Sequence, residues 1–69
     1  MKNTYELSIM DVSDVSTAEK TKTAWENRKK IYFTGLSEVW EYLGFKLKRI
    51  RAGWSGMVGN YDYTLVRIK

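Results

Sequence analysis

The chain has 69 residues, which is enough for one domain with a thin hydrophobic core. It has no cysteine and no histidine, so a disulfide, a thiolate metal site, a cysteine nucleophile and the commonest general base are all excluded. Aromatic residues make up 14% of the chain and supply the large buried areas that a small domain without such supports requires. We expect a single domain over residues 1–69 that holds neither a metal nor a cofactor.

The formal net charge is +4, and the basic residues fall into two blocks. Residues 20–34 have five basic residues against one acidic residue, and residues 45–69 have six against one. If both blocks fold onto one face, that face attracts phosphate or an acidic protein surface; if they scatter, they are ordinary solvated charge. No stretch approaches the roughly 20 apolar residues of a membrane span, and no apolar signal-peptide run begins the chain, so the expected location is the cytoplasm.

Residues 4–11 alternate between apolar and polar side chains, which predicts a half-buried strand. Residues 12–20 are polar and rich in turn-forming residues. Ser16 and Glu19 have the spacing of a capping box, but the threonines that follow favour extended structure and no apolar stripe develops. We therefore expect a loop over residues 12–20.

Two strands are expected next, near residues 21–26 and over residues 29–34. Only Asn27 and Arg28 separate them, which favours a hairpin, although no glycine stands at the turn.

The clearest helix covers residues 36–44. Ser37 is a natural N-cap, and Glu38 then lies in the first turn, where the helix dipole favours a carboxylate. Gly44 stands where a left-handed C-cap belongs. The apolar residues have the spacing of one buried helix face: Leu36, Val39, Trp40 and Leu43.

Residues 45–53 fit either a strand or a second short helix, and both remain open. Three glycines between positions 53 and 59 predict a flexible turn region, and residues 61–68 predict a β-branched, aromatic strand. The expected fold class is α+β, an antiparallel sheet of three to five strands with one short helix, about residues 36–44, packed on it.

Arrangements of residues that could carry catalysis are nearly absent. The glycines of residues 53–59 have neither the spacing of a phosphate loop nor the lysine that follows one. Glu38 and Glu41 lie three apart on a helix, but an acid/base pair needs a cleft that a nine-residue helix rarely supplies. We expect that the protein is not an enzyme.

Basic residues interleaved with aromatic ones carry the strongest functional signal. Lysine and arginine neutralise phosphates, exposed rings stack on bases, and arginine also anchors protein interfaces through carboxylates. The predicted partner-binding residues are Lys46, Lys48, Arg49, Arg51, Trp54, Tyr61, Arg28 and Lys29.

The segment Ile31–Glu38, followed by Leu43, Gly44 and Ile50, resembles a short strand that leads into a helix-turn-helix. Similar modules occur beside the nuclease domains of homing endonucleases and in small phage proteins. The resemblance implies a second helix over Lys46–Arg51 that would read DNA.

Our first functional hypothesis is a regulator or inhibitor from a phage or mobile element. By analogy of class, anti-CRISPR proteins have this size and character. Such a protein would dock on an acidic surface of a host nucleic-acid-processing complex, for example a CRISPR effector, through a basic, aromatic face. The alternatives are a DNA- or RNA-binding module that uses residues 45–54, and a structural or oligomerisation module.

Overall fold

Seven elements of secondary structure run along residues 3–69, the part of the chain that the computed structural model describes. Five strands form one antiparallel sheet in the order β2-β1-β5-β4-β3. The expected α+β class is therefore confirmed, with the full five strands and with one helix more than expected. In chain order the elements are β1 (Tyr5–Asp11), α1 (Ala18–Glu26), β2 (Lys29–Phe33), α2 (Leu36–Leu43), β3 (Lys48–Ile50), β4 (Gly53–Val58) and β5 (Tyr61–Arg67).

The core lies between one face of the sheet and α2. Strands β1 and β5 occupy the middle of the sheet, and their alternating apolar residues point to the same side. Leu7 lies opposite Leu65, and both are fully buried, as is Val39 of α2. Burial of each such side chain contributes about 1.5–3 kcal/mol to the free energy of unfolding. The remaining residues of the buried cluster are Tyr5 and Leu47.

Helix α2 has the predicted C-terminus, but its N-cap is different. Gly44 adopts the left-handed conformation at φ 80°, and its amide donates to the carbonyl of Trp40. The N-cap is Gly35, not Ser37, and no side chain caps it. Leu36 belongs to the buried face, so packing begins the helix one residue before the serine that local preference selects.

Helix α1 occupies residues that we expected to form a loop and a strand. Thr17 is its N-cap and accepts a hydrogen bond from the Lys20 amide at 3.1 Å. The hydroxyls of Thr21 and Thr23 donate to carbonyls four residues earlier, so these threonines are accommodated inside the helix. The expected 21–26 strand and its hairpin are therefore wrong, and β2 pairs with β1 instead. Helix α1 has no apolar stripe, and accordingly none of its residues is buried.

Residues 12–28 form an arm that projects from the sheet. The chain leaves β1 and enters β2 at the same end of the sheet, where Ile9 pairs with Lys29. The molecule measures 41 × 22 × 21 Å, whereas a seven-residue strand is only about 23 Å long. Its radius of gyration is 12.6 Å, against about 11 Å for a compact domain of this length.

Neither helix of residues 3–69 combines the length and the apolar character that a membrane-spanning helix requires.

The stretch after α2 is a short strand, which resolves the ambiguity over residues 45–53. Only Lys48–Ile50 is regular, and it pairs with β4 at the sheet edge. The second helix implied by the resemblance to helix-turn-helix modules is therefore absent from Lys46–Arg51. The expected turn region over residues 53–59 is mostly strand β4, and the turn is confined to Gly59 and Asn60.

Gly53 is required by the close approach of its backbone to that of the paired strand β5. This requirement gives a prediction for stability. Its φ is 157°, and a Cβ there would overlap the carbonyl oxygen of Leu65. We expect Gly53→Ser to destabilise the fold by about 2 kcal/mol or more in urea unfolding. Gly35→Ser is the matched control, because position 35 has open space and Ser is a good N-cap. Equal losses in the two variants would contradict this interpretation.

A carboxylate at the base of the arm gives a prediction for pH. Asp14 bonds the Lys20 ammonium at 2.9 Å and accepts from the Ser16 hydroxyl, and these contacts lower its pKa from the ordinary 3.8. The contacts contribute stability above pH 3.8, and this is lost as the pH falls through the lower folded-state pKa. NMR titration should give a midpoint below 3.8 that rises in Lys20→Met. The midpoint should stay in place in Lys22→Met, and an unchanged midpoint in Lys20→Met would refute the assignment.

Candidate functional site

A concave pocket of about 330 Å³ lies where the β3–β4 turn meets the ends of β1 and β5. The sheet register brings its walls together from four strands. Arg49 lies opposite Trp54 across β3 and β4, and Arg67 lies opposite Tyr5 across β5 and β1. Three arginines and no carboxylate line this pocket, which we call the arginine pocket. Its full lining is Tyr5, Arg49, Arg51, Ala52, Gly53, Trp54 and Arg67.

Arg49 makes three contacts within the protein that orient its guanidinium. Its Nη1 donates to the carbonyls of Ile50 at 3.1 Å and Gly53 at 2.9 Å. Its guanidinium also lies 4.6 Å from the centre of the Trp54 ring, within the range of a cation–π interaction. The pocket therefore has one positive wall that is oriented by contacts within the protein.

Trp54 is a wall of the pocket and is not a free stacking platform. Arg49 lies over its ring, and the rings of Tyr5 and Trp40 meet it in edge contacts at 6.0 and 6.4 Å between centroids. A nucleic acid base would have to displace one of these neighbours to stack on the indole. The base-stacking role of Trp54 stays a prediction, and it would require a rearrangement of these neighbours.

Arg51 and Arg67 supply the rest of the positive charge of the pocket. Both are exposed, and the one ion pair among residues 3–69 joins Lys20 to Asp14, far from this end. Their guanidiniums are thus free to form two parallel hydrogen bonds to a carboxylate or a phosphate. The arrangement is suited to binding an anionic group.

The structure divides the predicted partner-binding residues between several places. Arg49, Arg51 and Trp54 come together in the arginine pocket. Lys48 is exposed on the opposite face of β3 from Arg49, and Lys46 is exposed just before that strand.

The other predicted residues lie away from the pocket. Tyr61 is at the far end of β5, opposite Asp11. Arg28 lies at the base of the arm, and Lys29 begins β2. This edge strand is four positions from β3, about 19 Å across the sheet. The two basic blocks therefore do not form one continuous face.

Tyr5 and Arg67 belong to the pocket and were missed. The alternation in both strands was readable, but nothing local indicates that the first strand pairs with the last. Only that pairing places Tyr5 and Arg67 side by side.

A second, wider depression of about 720 Å³ separates the arm from the end of β1. Two of its carboxylates are already engaged, since Asp11 accepts from the Ser13 amide and Asp14 pairs with Lys20. Within residues 3–69 no three acidic side chains are arranged to hold a metal ion.

The rigidity of Arg49 leads to a prediction for stability. Arg49→Lys keeps the charge, but an ammonium cannot bond both carbonyls and also cover the indole. We expect a loss of about 1 kcal/mol in urea unfolding. Arg51→Lys is the matched control and should leave stability within about 0.5 kcal/mol. A result in which Arg49→Lys unfolds at the wild-type midpoint would show that the contacts contribute nothing.

Comparison with protein-family models, curated proteins and solved structures found no match to this chain.

Proposed function

We propose that this chain is a non-catalytic binding protein that docks on an acidic patch of another protein through the arginine pocket. The observation that supports this most directly is the convergence of three guanidiniums on one concavity without a carboxylate. Like charges at close range repel, so such a cluster costs stability unless an anion neutralises it. A partner's aspartate or glutamate inserted between Arg51 and Arg67 would provide that neutralisation.

The aromatic residues that line the pocket favour a protein partner over a nucleic acid. Tyr5 and Trp54 stand among the three arginines. Protein interfaces combine arginine and aromatic residues with apolar contacts, whereas nucleic acid sites surround their arginines with more positive charge. The ring of Trp54 is also enclosed by Arg49 and by the rings of Tyr5 and Trp40, so it offers an unpaired base little open surface.

Arginine and tyrosine at the centre of an interface commonly dominate its binding energy. Arg49 contributes a fixed charge, so little ordering entropy is lost at that residue on binding. Arg51 and Arg67 would lose more freedom but would gain bidentate bonds to the partner carboxylate.

The finer hypothesis concerns the partner's identity. A host nucleic-acid-processing complex, such as a CRISPR effector bound by a phage inhibitor, stays our prediction for that partner. The small size of the chain supports it, since an inhibitor of this kind acts by covering a surface. The cytoplasm, where such complexes work, is the proposed location.

Affinity purification from the native host tests the proposal. Wild-type protein, Arg51→Ala/Arg67→Ala and Lys22→Ala/Lys46→Ala would serve as baits in nuclease-treated lysate. We expect wild type and the lysine variant to retain one protein partner, and the arginine variant to lose affinity about tenfold or more per arginine. The lysine variant is matched in charge but changes exposed residues outside the pocket.

Two results would overturn the proposal. One is capture of the same partner by the arginine variant at wild-type affinity. The other has two parts: every partner is lost on nuclease treatment, and the purified protein binds DNA or RNA. The slope of log affinity against log salt concentration should then be smaller in the arginine variant by the equivalent of about two phosphate contacts. That second result would establish the nucleic-acid-binding alternative that uses residues 45–54.

A further inference from the structure

Two large aromatic side chains outside the arginine pocket are exposed, one in the last turn of α1 and one on the edge strand β2. Trp25 in the last turn of α1 is 53% exposed, and Tyr32 in β2 is 54% exposed. Tyr32 points to the open face of the sheet, since its neighbours in β2, Ile31 and Phe33, point to the α2 side. Neither Trp25 nor Tyr32 belongs to the core cluster, so core packing does not account for these two rings.

Arg28 holds the Trp25 ring in a defined orientation. Its guanidinium lies 3.7 Å from the centre of the indole, and its Nη1 donates to the Trp25 carbonyl at 2.7 Å. The buried Nε of Arg28 has no hydrogen-bond partner within residues 3–69. The indole is therefore ordered by a cation while more than half of its surface remains open.

Further cations and the ring of Tyr32 follow Arg28 along the chain. Arg28, Lys29 and Lys30 are consecutive, and Lys30 points to the same face of the sheet as Tyr32, about 7 Å along β2. The charge of Arg28 reaches the Tyr32 phenol, where it opposes the rise in pKa caused by the Glu6 carboxylate. We call Trp25, Arg28, Lys30 and Tyr32 the arm-base surface.

We propose that the arm-base surface binds single-stranded nucleic acid. Unpaired bases stack on exposed rings without regard to sequence, and neighbouring lysines and arginines neutralise the backbone phosphates. The bases of a duplex are already stacked on one another, so the two exposed rings can stack only on the bases of an unpaired strand. The surface shares no residue with the arginine pocket and does not depend on the function proposed for it.

Glu6 gives the proposal a test that a structural role cannot imitate. It lies opposite Tyr32 across β1 and β2 and is the nearest opposing charge in the sheet register. A polyanion on this surface would be repelled by that carboxylate. Glu6→Gln should therefore raise the affinity for nucleic acid, whereas damage to the fold would lower it.

The experiment is a fluorescence anisotropy titration at low salt with labelled oligothymidylate and oligouridylate of about 20 nucleotides. We expect both strands to bind and to dissociate steeply as salt rises. Loss of a stacking ring in Trp25→Ala or Tyr32→Ala should weaken binding on the order of 5- to 100-fold. Trp25→Phe should recover part of the loss, and Glu6→Gln should bind more tightly than wild type.

Controls separate this surface from the arginine pocket and from unfolding. Tyr42→Ala removes a ring that is 51% exposed on α2, on the other side of the sheet, and should bind as wild type does. Arg51→Ala/Arg67→Ala should also bind the single strand normally, so either proposal can fail without the other. Circular dichroism verifies that each variant folds. Wild-type affinity in Trp25→Ala, or duplex binding as tight as single-strand binding, would overturn the proposal.

Discussion

The antiparallel pairing of the first strand with the last is the interaction on which the rest of the molecule depends. It brings the fully buried side chains of Leu7 and Leu65 together in the middle of the sheet. Every other strand attaches to this pair: β2 adds to β1 on one side, and β4 and then β3 add to β5 on the other. Because this pairing joins the two ends of the chain, no shorter segment contains the core. The whole sheet is therefore expected to form and to unfold cooperatively.

The core is one-sided, and this determines what remains available for binding. Helix α2 covers one face of the sheet, while α1 buries no residue and stands off the end. A chain of this size has few apolar side chains, and the fold places them on the single covered face. The aromatic residues that are left over, chiefly Trp25 and Tyr32, consequently remain exposed next to cations. The same thin architecture leaves the arginine pocket open at the opposite end.

The two cationic surfaces differ in chemistry because their rings differ in packing. In the arginine pocket, Trp54 is enclosed by Arg49 and by aromatic neighbours, so the site offers positive charge and shape but no stacking face. On the arm-base surface, Trp25 is held by one cation and is otherwise open. Anionic protein side chains suit the first surface and unpaired bases suit the second. A molecule with both surfaces would be able to contact the protein and the nucleic acid of one complex at the same time, which agrees with the partner class that we propose.

Local sequence pattern was enough to predict the alternating strands at the two ends of the chain and the helix that ends at Gly44. It also identified Arg49, Arg51 and Trp54, because basic and aromatic residues lie close together there. Helix α1 escaped the prediction because a helix without buried residues has no apolar periodicity, and its support is a local cap at Thr17. Long-range pairing of the strands, in contrast, separates the basic blocks and brings Arg67 to the pocket. Strand order and register are set by burial between residues far apart in the chain, and no local pattern records them.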